Sequence, residues 1–286
     1  MHGIGPPLVT PFDESGDVDE TKLREVVRWV EDHGVDFLVP CGSNGEAELL
    51  TADERTRVIE VVVEETDLPV LAGTGHPGRR ETLAATTRAA EAGADAALVV
   101  TPFYYEHDQA ALREYYRSVA DESPLPVYLY SVPKYTGVRL TPETVGDLAT
   151  HPNVAGMKDS SGDLGAFTRT RRRTADADFQ LLVGSGSVLG PALDAGADGG
   201  VLALANVAPA AAAEVYETVA DDPTAARERA ADLVELNHAV TAAYGVAGLK
   251  YAMRQRGVSA GHVRSPHRPL TDGDAQARLE WLIEPF

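Results

Sequence analysis

The chain has 286 residues, 44% of them hydrophobic and 24% charged, a make-up that can bury a globular core without disulfide or metal staples. Its 25 basic against 44 acidic side chains give a net charge of −19, which excludes a surface built for nucleic-acid phosphates. A single cysteine, Cys41, excludes a disulfide framework and a thiolate zinc site, and no stretch approaches the ~18 uncharged apolar residues of a membrane span.

Strand-like and helix-like segments alternate from the start. Ile4 to Thr10 reads as an apolar strand rather than a signal peptide, because no basic leader precedes it. Thr21 to His33 carries Leu23, Val26, Val27 and Val30 at helical spacing and stops at Gly34. Asp36 to Pro40 is a second strand, and Thr51-Ala52-Asp53-Glu54 is a capping box that opens a helix running to about Thr66. Leu68 to Ala72 (strand), Glu81 to Ala92 (helix), Ala96 to Thr101 (strand) and Gln109 to Ala120 (helix) follow. Pro126 to Ser131 is a fifth strand, with a short helix opened by Thr141-Pro142-Glu143. Val154 to Lys158 and residues 164–175, Gln180 to Val183 and Val188 to Ala195, and Gly200 to Leu204 and Ala208 to Val219 complete the series.

Eight units whose strands are continuous apolar runs predict an α/β fold of the (β/α)₈ barrel type over residues 1–220. A doubly wound sheet is the alternative, but no GxGxxG follows the first strand. Residues 221–286 read as helices packed on the barrel, with a long amphipathic segment from Thr224 to Ala243. Acidic residues scattered over the helices, with little lysine, predict a halophile-like protein kept in solution at high salt. A cytoplasmic location is expected.

Only four lysines stand against 21 arginines, and one of them, Lys158, ends an apolar strand and is followed by Asp159-Ser160-Ser161-Gly162. An amine at the mouth of a barrel can lose its proton and attack a ketone. Lys22 lies on a charged helix face, Lys134 follows a proline in a loop, and Lys250 sits in the C-terminal helical region, so all three are poorer candidates. Other strand ends are also rich in chemistry. Cys41-Gly42-Ser43-Asn44-Gly45-Glu46 offers close backbone approach and donors for a carboxylate. Tyr104 follows strand four, Tyr130 lies in the end of strand five, and Gly184-Ser185-Gly186-Ser187 follows strand seven. Each piece alone has an ordinary reading, as a turn, a core tyrosine with a wet tip, or a lysine reaching solvent. Together they outline an amine nucleophile, a phenol for proton transfer and a small anion cradle.

On these motifs the chain resembles the dihydrodipicolinate synthase/N-acetylneuraminate lyase family of pyruvate-dependent class I aldolases, from Pro6-Pro7-Leu8-Val9-Thr10-Pro11-Phe12 through Gly248-Leu249-Lys250. The resemblance implies Lys158 as the Schiff-base residue, Tyr130 as general acid/base, and Tyr104 as the tyrosine that reaches toward a neighbouring subunit's site. It also implies a keto-acid site lined by Gly42, Ser43, Asn44, Gly184 and Val201, with no metal or organic cofactor and a homotetrameric assembly. Asn44 departs from the threonine usual at its position, which leaves the proton relay open. Tyr135 stands where synthases of dihydrodipicolinate carry an arginine, and Ser185, Gly186 and Ser187 stand where sialic acid lyases carry acids. The expected reaction is reversible cleavage of a 2-keto-3-deoxy sugar acid, of the 2-keto-3-deoxygluconate type, to pyruvate and an aldehyde. The alternatives are a 4-hydroxy-2-oxoglutarate aldolase, a 4-hydroxy-tetrahydrodipicolinate synthase, and a catalytically silent keto-acid-binding protein.

Overall fold

The computed structural model describes every residue from Met1 to Phe286. Seven parallel strands form one curled sheet: β1 (Gly3–Gly5), β2 (Leu71–Gly73), β3 (Ala96–Val100), β4 (Val127–Ser131), β5 (Val154–Asp159), β6 (Gln180–Val183) and β7 (Gly199–Val201). Their spatial order is β1-β7-β6-β5-β4-β3-β2. The predicted second strand, residues 36–40, lies between β1 and β2 and closes the ring through isolated parallel bridges, Pro7 to Val39 and Leu38 to Val70. Leu8 N–H donates to Val39 C=O at 3.0 Å, and Leu71 N–H to Leu38 C=O at 2.9 Å. The fold is therefore a (β/α)₈ barrel in which one of eight staves is pinned at points rather than along a ladder.

The cause is chemical. Pro6, Pro7, Pro40 and Pro69 remove backbone donors from the three segments that meet at this seam. The strand expected over Ile4 to Thr10 is accordingly cut to Gly3–Gly5. At the other end, the strand expected over Gly200 to Leu204 stops at Val201 and turns into a 3₁₀ helix, Ala203–Asn206. There the Asn206 side-chain amide donates to Pro7 C=O at 3.0 Å and Ala203 C=O at 3.2 Å, competing with the ladder.

The helices follow the strands: α1 (Glu20–Glu31), α2 (Ala52–Glu65), α3 (Arg79–Glu91), α4 (Gln109–Glu122), α5 (Pro133–Thr136), α6 (Pro142–Leu148), α7 (Leu164–Arg173), α8 (Leu189–Asp194) and α9 (Pro209–Thr218). Four more complete the chain: α10 (Pro223–Asp232), α11 (Val234–His238), α12 (Gly245–Gln255) and α13 (Gly273–Ile283). The starts are capped as the sequence reads. Asp19 accepts from Lys22 N–H at α1, and Thr51 and Glu54 form both halves of the capping box at α2. The single amphipathic helix expected from Thr224 to Ala243 is instead α10, α11 and a π-helical turn, Ala239–Ala243. Thr241 Oγ1 donates back to Asn237 C=O at 2.6 Å, a local bond that bends helices. No helix is long and apolar enough to cross a membrane.

Two cores result. Outward-facing strand residues and the helices, including Leu233, Leu236, Leu249 and Leu279 from the C-terminal helices, form one continuous cluster. The inward face forms a second, with Phe37, Leu71, Leu98, Tyr128, Tyr130, Leu182 and Val201. Alternation along β4 turns Tyr128 and Tyr130 inward and Leu129 outward.

The segment after α12 returns across the barrel mouth. His262 N–H donates to Phe12 C=O at 2.8 Å, and Arg264 donates to both Glu54 carboxylate oxygens, at 2.9 and 2.5 Å. These bonds hold the Glu54 carboxyl down at about 2, from an ordinary 4.5. A lowered folded value means that the bond contributes fully above about 4.5 and is lost as pH falls toward about 2. Thermal melts at pH 5 and pH 3 are expected to show a larger drop in Tm for the parent chain than for Glu54→Gln, which has no carboxylate to protonate. Equal drops would remove this clamp from the acid response.

Candidate active site

β4 and β5 pair with Tyr130 directly opposite Lys158. Strand parity points Tyr130 inward, and its register partner shares that face, so phenol and amine stand side by side at the C-terminal end of the barrel. Both are buried, at 5% and 3% exposure. The Lys158 Nζ lies 4.3 Å from the centre of the Tyr130 ring. The Lys158 side-chain nitrogen enters no ion pair and no hydrogen bond with the protein, and it lines the cavity. Ser43 Oγ stands 3.4 Å from the Tyr130 hydroxyl, a long hydrogen bond that links the phenol to the loop after the second strand.

The cavity is about 740 Å³ and is lined by Gly42, Ser43, Asn44, Tyr130, Lys158, Gly184 and Val201, so seven of the eight predicted site residues meet in it. Gly184 is there for space. A Cβ at that position would lie 1.9 Å from Ser160 Oγ and 3.1 Å from Lys158 Cε, so a side chain would displace the amine.

The loop after the second strand is a 3₁₀ turn over Ser43–Gly45, closed by Gly45 N–H to Gly42 C=O at 3.0 Å. Two non-glycine residues flank it in the left-handed region, Cys41 (φ 57°) and Glu46 (φ 53°), an arrangement that surrounding contacts must enforce. Gly73 of β2 permits one of those contacts, since a Cβ there would meet the Cys41 carbonyl oxygen at 2.0 Å. The buried Arg55 guanidinium supplies another, donating to Gly73 C=O at 3.2 Å and Ala47 C=O at 2.9 Å. Cys41 itself is no nucleophile: burial pushes its thiol up to about 12.

The eighth predicted residue, Tyr104, stands apart. It is 87% exposed, has φ 79°, and packs edge-to-face on Tyr105 at 4.9 Å, outside the cavity of its own chain. Lys134 sits not in a loop but in the helical turn α5, and its ammonium donates to Thr241 C=O at 3.2 Å. Tyr135, beside it, is 60% exposed and lines the mouth.

Several lining residues escape a reading of motifs. The distal wall comes from the C-terminal helices and the returning segment: Asn237, His238, Thr241, Tyr244, His267 and Arg268. The Asn237 amide donates to Ser187 Oγ at 2.8 Å, tying α11 to the loop after β6. Lys250 is wholly buried, with its nitrogen donating to Glu46 Oε1 at 2.6 Å, Thr10 C=O at 2.7 Å and His262 C=O at 2.5 Å. Burial pulls its ammonium down, to about 8, against the opposing pull of the Glu46 carboxylate.

Comparison with known proteins agrees with this architecture. The model of the dihydrodipicolinate synthetase family matches residues 1–284. A 4-hydroxy-tetrahydrodipicolinate synthase of Methanothrix thermoacetophila is 39% identical over 284 residues, which cover 99% of this chain and 96% of that protein. An uncharacterized DapA-like lyase of Halobacterium salinarum is 42% identical over 280 residues, 97% and 91% of the two chains. Among solved structures, a prophage protein of the dihydrodipicolinic acid synthase family from E. coli K12, in complex with pyruvate, superposes with a TM-score of 0.93 at 31% identity, covering 100% of this chain and 98% of that one. The chain belongs to the dihydrodipicolinate synthetase family, whose members are pyruvate-dependent class I aldolases and lyases.

Proposed function

We propose that this enzyme reversibly cleaves a 2-keto-3-deoxy sugar acid to pyruvate and an aldehyde through a Schiff base on Lys158. The observation that carries the reading is the register pair Tyr130–Lys158, which puts an unpartnered amine and a phenol together inside the cavity. The free-base amine attacks the C2 ketone, and loss of water gives an iminium that draws electrons from the C3–C4 bond. Tyr130 takes the proton of the C4 hydroxyl, the C3–C4 bond breaks, and the aldehyde leaves. The enamine gains a proton at C3, and water hydrolyses the resulting imine to release pyruvate and the amine. Ser43 and Asn44 hold the keto-acid carboxylate, and Ser43 passes protons to and from the phenol. The covalent imine is the electron sink, so the scheme calls on no metal or organic cofactor.

The sugar-acid choice is supported by the distal wall. Ser185, Ser187, Asn237 and Thr241 offer hydroxyl and amide groups, and Tyr135 occupies the place where a synthase would grip a second carboxylate with arginine. A second reading, 4-hydroxy-tetrahydrodipicolinate synthase, is favoured by the name of the Methanothrix relative. A 4-hydroxy-2-oxoglutarate aldolase would use the same first steps. The exposed pair Tyr104–Tyr105 is the surface through which a neighbouring subunit would complete the site in a homotetramer. The acidic surface and the Halobacterium relative support a protein working in high salt in the cytoplasm.

The test is a substrate panel in molar salt, read by pyruvate release, with borohydride added to a parallel pyruvate incubation. The reduced adduct is expected on the peptide that carries Lys158, and turnover is expected to be fastest with 2-keto-3-deoxygluconate. Faster condensation of pyruvate with aspartate semialdehyde would move the assignment to the synthase. An adduct absent from Lys158 would end the Schiff-base scheme.

A further inference from the structure

The cradle loop cannot hold its own shape. Its turn is bounded by two left-handed non-glycine residues, and its local bonds are Gly45 N–H to Gly42 C=O at 3.0 Å, Glu46 N–H to Ser43 C=O at 3.2 Å and a long Ala47 N–H to Gly42 C=O at 3.4 Å. Beside the Arg55 bond to Ala47 C=O, further fixing contacts come from the far end of the sequence. The Glu46 carboxylate, fully buried, accepts from Lys250 Nζ at 2.6 Å, from Arg264 N–H at 2.9 Å, and faces His267 Nδ1 at 2.8 Å. Lys250 lies 204 positions away on α12, and its two other bonds reach Thr10 C=O at the barrel rim and His262 C=O in the returning segment. Thr10 adds a third tether, its hydroxyl donating to Gly45 C=O at 2.7 Å. Lys250 also rests 4.7 Å from the centre of the Phe12 ring.

Lys250 is not a second nucleophile. Its side chain has no solvent exposure, and its nitrogen already donates to three oxygens at 2.5 to 2.7 Å. Nor is a buried ion pair an economical way to stabilise a core, since apolar residues of equal volume do as well or better. The use that fits such a pair is to specify one arrangement of the chain around it.

We propose that Glu46 and Lys250 are positioning residues of the keto-acid cradle: together they hold the Ser43–Asn44 turn in the shape that receives the substrate carboxylate, with the returning segment 261–267 as the outer brace. The inference rests on the reading of the site given above. Neither side chain touches the reacting atoms, and both act through the backbone of residues 42–46.

The experiment compares Glu46→Gln, the double variant Glu46→Gln/Lys250→Met, and His267→Ala in the full chain. The double variant removes both charges, so no lone ion is left buried. His267 is half-exposed, and its removal deletes only the outermost contact to Glu46, which keeps one fully folded variant in the set. Two quantities are read: the pyruvate concentration giving half-maximal borohydride trapping, and hydrogen exchange in the peptide spanning residues 41–50. Half-saturating pyruvate is expected to rise tenfold or more in the two Glu46 variants and about threefold in His267→Ala. The limiting trapping rate is expected to stay within threefold, with faster exchange in the loop. A purely structural pair would lower Tm and leave half-saturation unchanged in every variant that folds, and that result overturns the inference. If the parent chain is not trapped by pyruvate at all, the Schiff-base reading falls, and the exchange comparison alone judges whether Glu46 and Lys250 brace the loop.

Discussion

Lys158→Ala is expected to abolish borohydride trapping of pyruvate and to lower turnover roughly 10⁴- to 10⁶-fold, the range seen when a covalent nucleophile is deleted. The structure makes this a clean change. The Lys158 nitrogen has no ion-pair partner, so its removal strands no opposite charge in the core. The space it vacates opens onto an existing cavity, so the protein should fold with Tm within a few degrees of the parent. Lys158→Arg is a sharper control, because a guanidinium keeps its proton at any working pH and cannot form the imine. It should be as inactive as the alanine variant. Retained trapping in Lys158→Ala, located by peptide mapping, would reassign the nucleophile, and among the other lysines only Lys134 also lines the cavity.

The barrel and its chemical end were legible because two periodicities carry them. Apolar runs of strand length, separated by amphipathic helices with capped starts, fix the alternation of elements. A polar residue near the end of an apolar strand, as Lys158 and Tyr130 are, is informative because that position costs burial energy unless something uses it. What was hidden is pairing at long range. Nothing local in Gly248-Leu249-Lys250 announces that its lysine closes onto Glu46, and nothing in Asn237 or Thr241 places them on the cavity wall. The π-helical turn that carries Thr241 is accompanied by a side-chain bond, Thr241 to Asn237, that helical periodicity does not encode. Proline explains the rest. Pro6, Pro7, Pro40 and Pro69 are visible in the sequence, yet their joint effect, a stave held by isolated bridges, appears only once the ring brings the three segments together. Tyr104 belongs to a further class: it is a strained, exposed aromatic that does not line the cavity of its own chain, so the subunit alone gives no account of the role its motif position implies.

Tyr130→Phe is expected to separate binding from chemistry. The substitution deletes one oxygen whose only partner is Ser43 Oγ at 3.4 Å, a bond too long to contribute much to stability. The ring stays, and with it the face on which the Lys158 amine rests 4.3 Å from the ring centre. Stability and the geometry of the amine should therefore be nearly unchanged, and pyruvate should still be trapped on Lys158, more slowly, because imine formation itself needs proton transfers. Turnover should fall roughly 10²- to 10⁴-fold, the usual effect of losing one acid/base group. The loss should sit in kcat rather than KM, since the proposed scheme has the phenol act on the C4 hydroxyl during bond breaking and the carboxylate held elsewhere. Ser43→Ala offers the contrast: it removes the proposed carboxylate donor as well as the phenol's partner, so KM should rise along with the fall in kcat. Turnover of Tyr130→Phe within threefold of the parent would take the phenol out of the mechanism and leave proton transfer to water or to Ser43. The decisive comparison is the ratio of trapping to turnover across the two variants, because a general loss of folding would lower both together, whereas loss of the phenol oxygen lowers only the second by orders of magnitude.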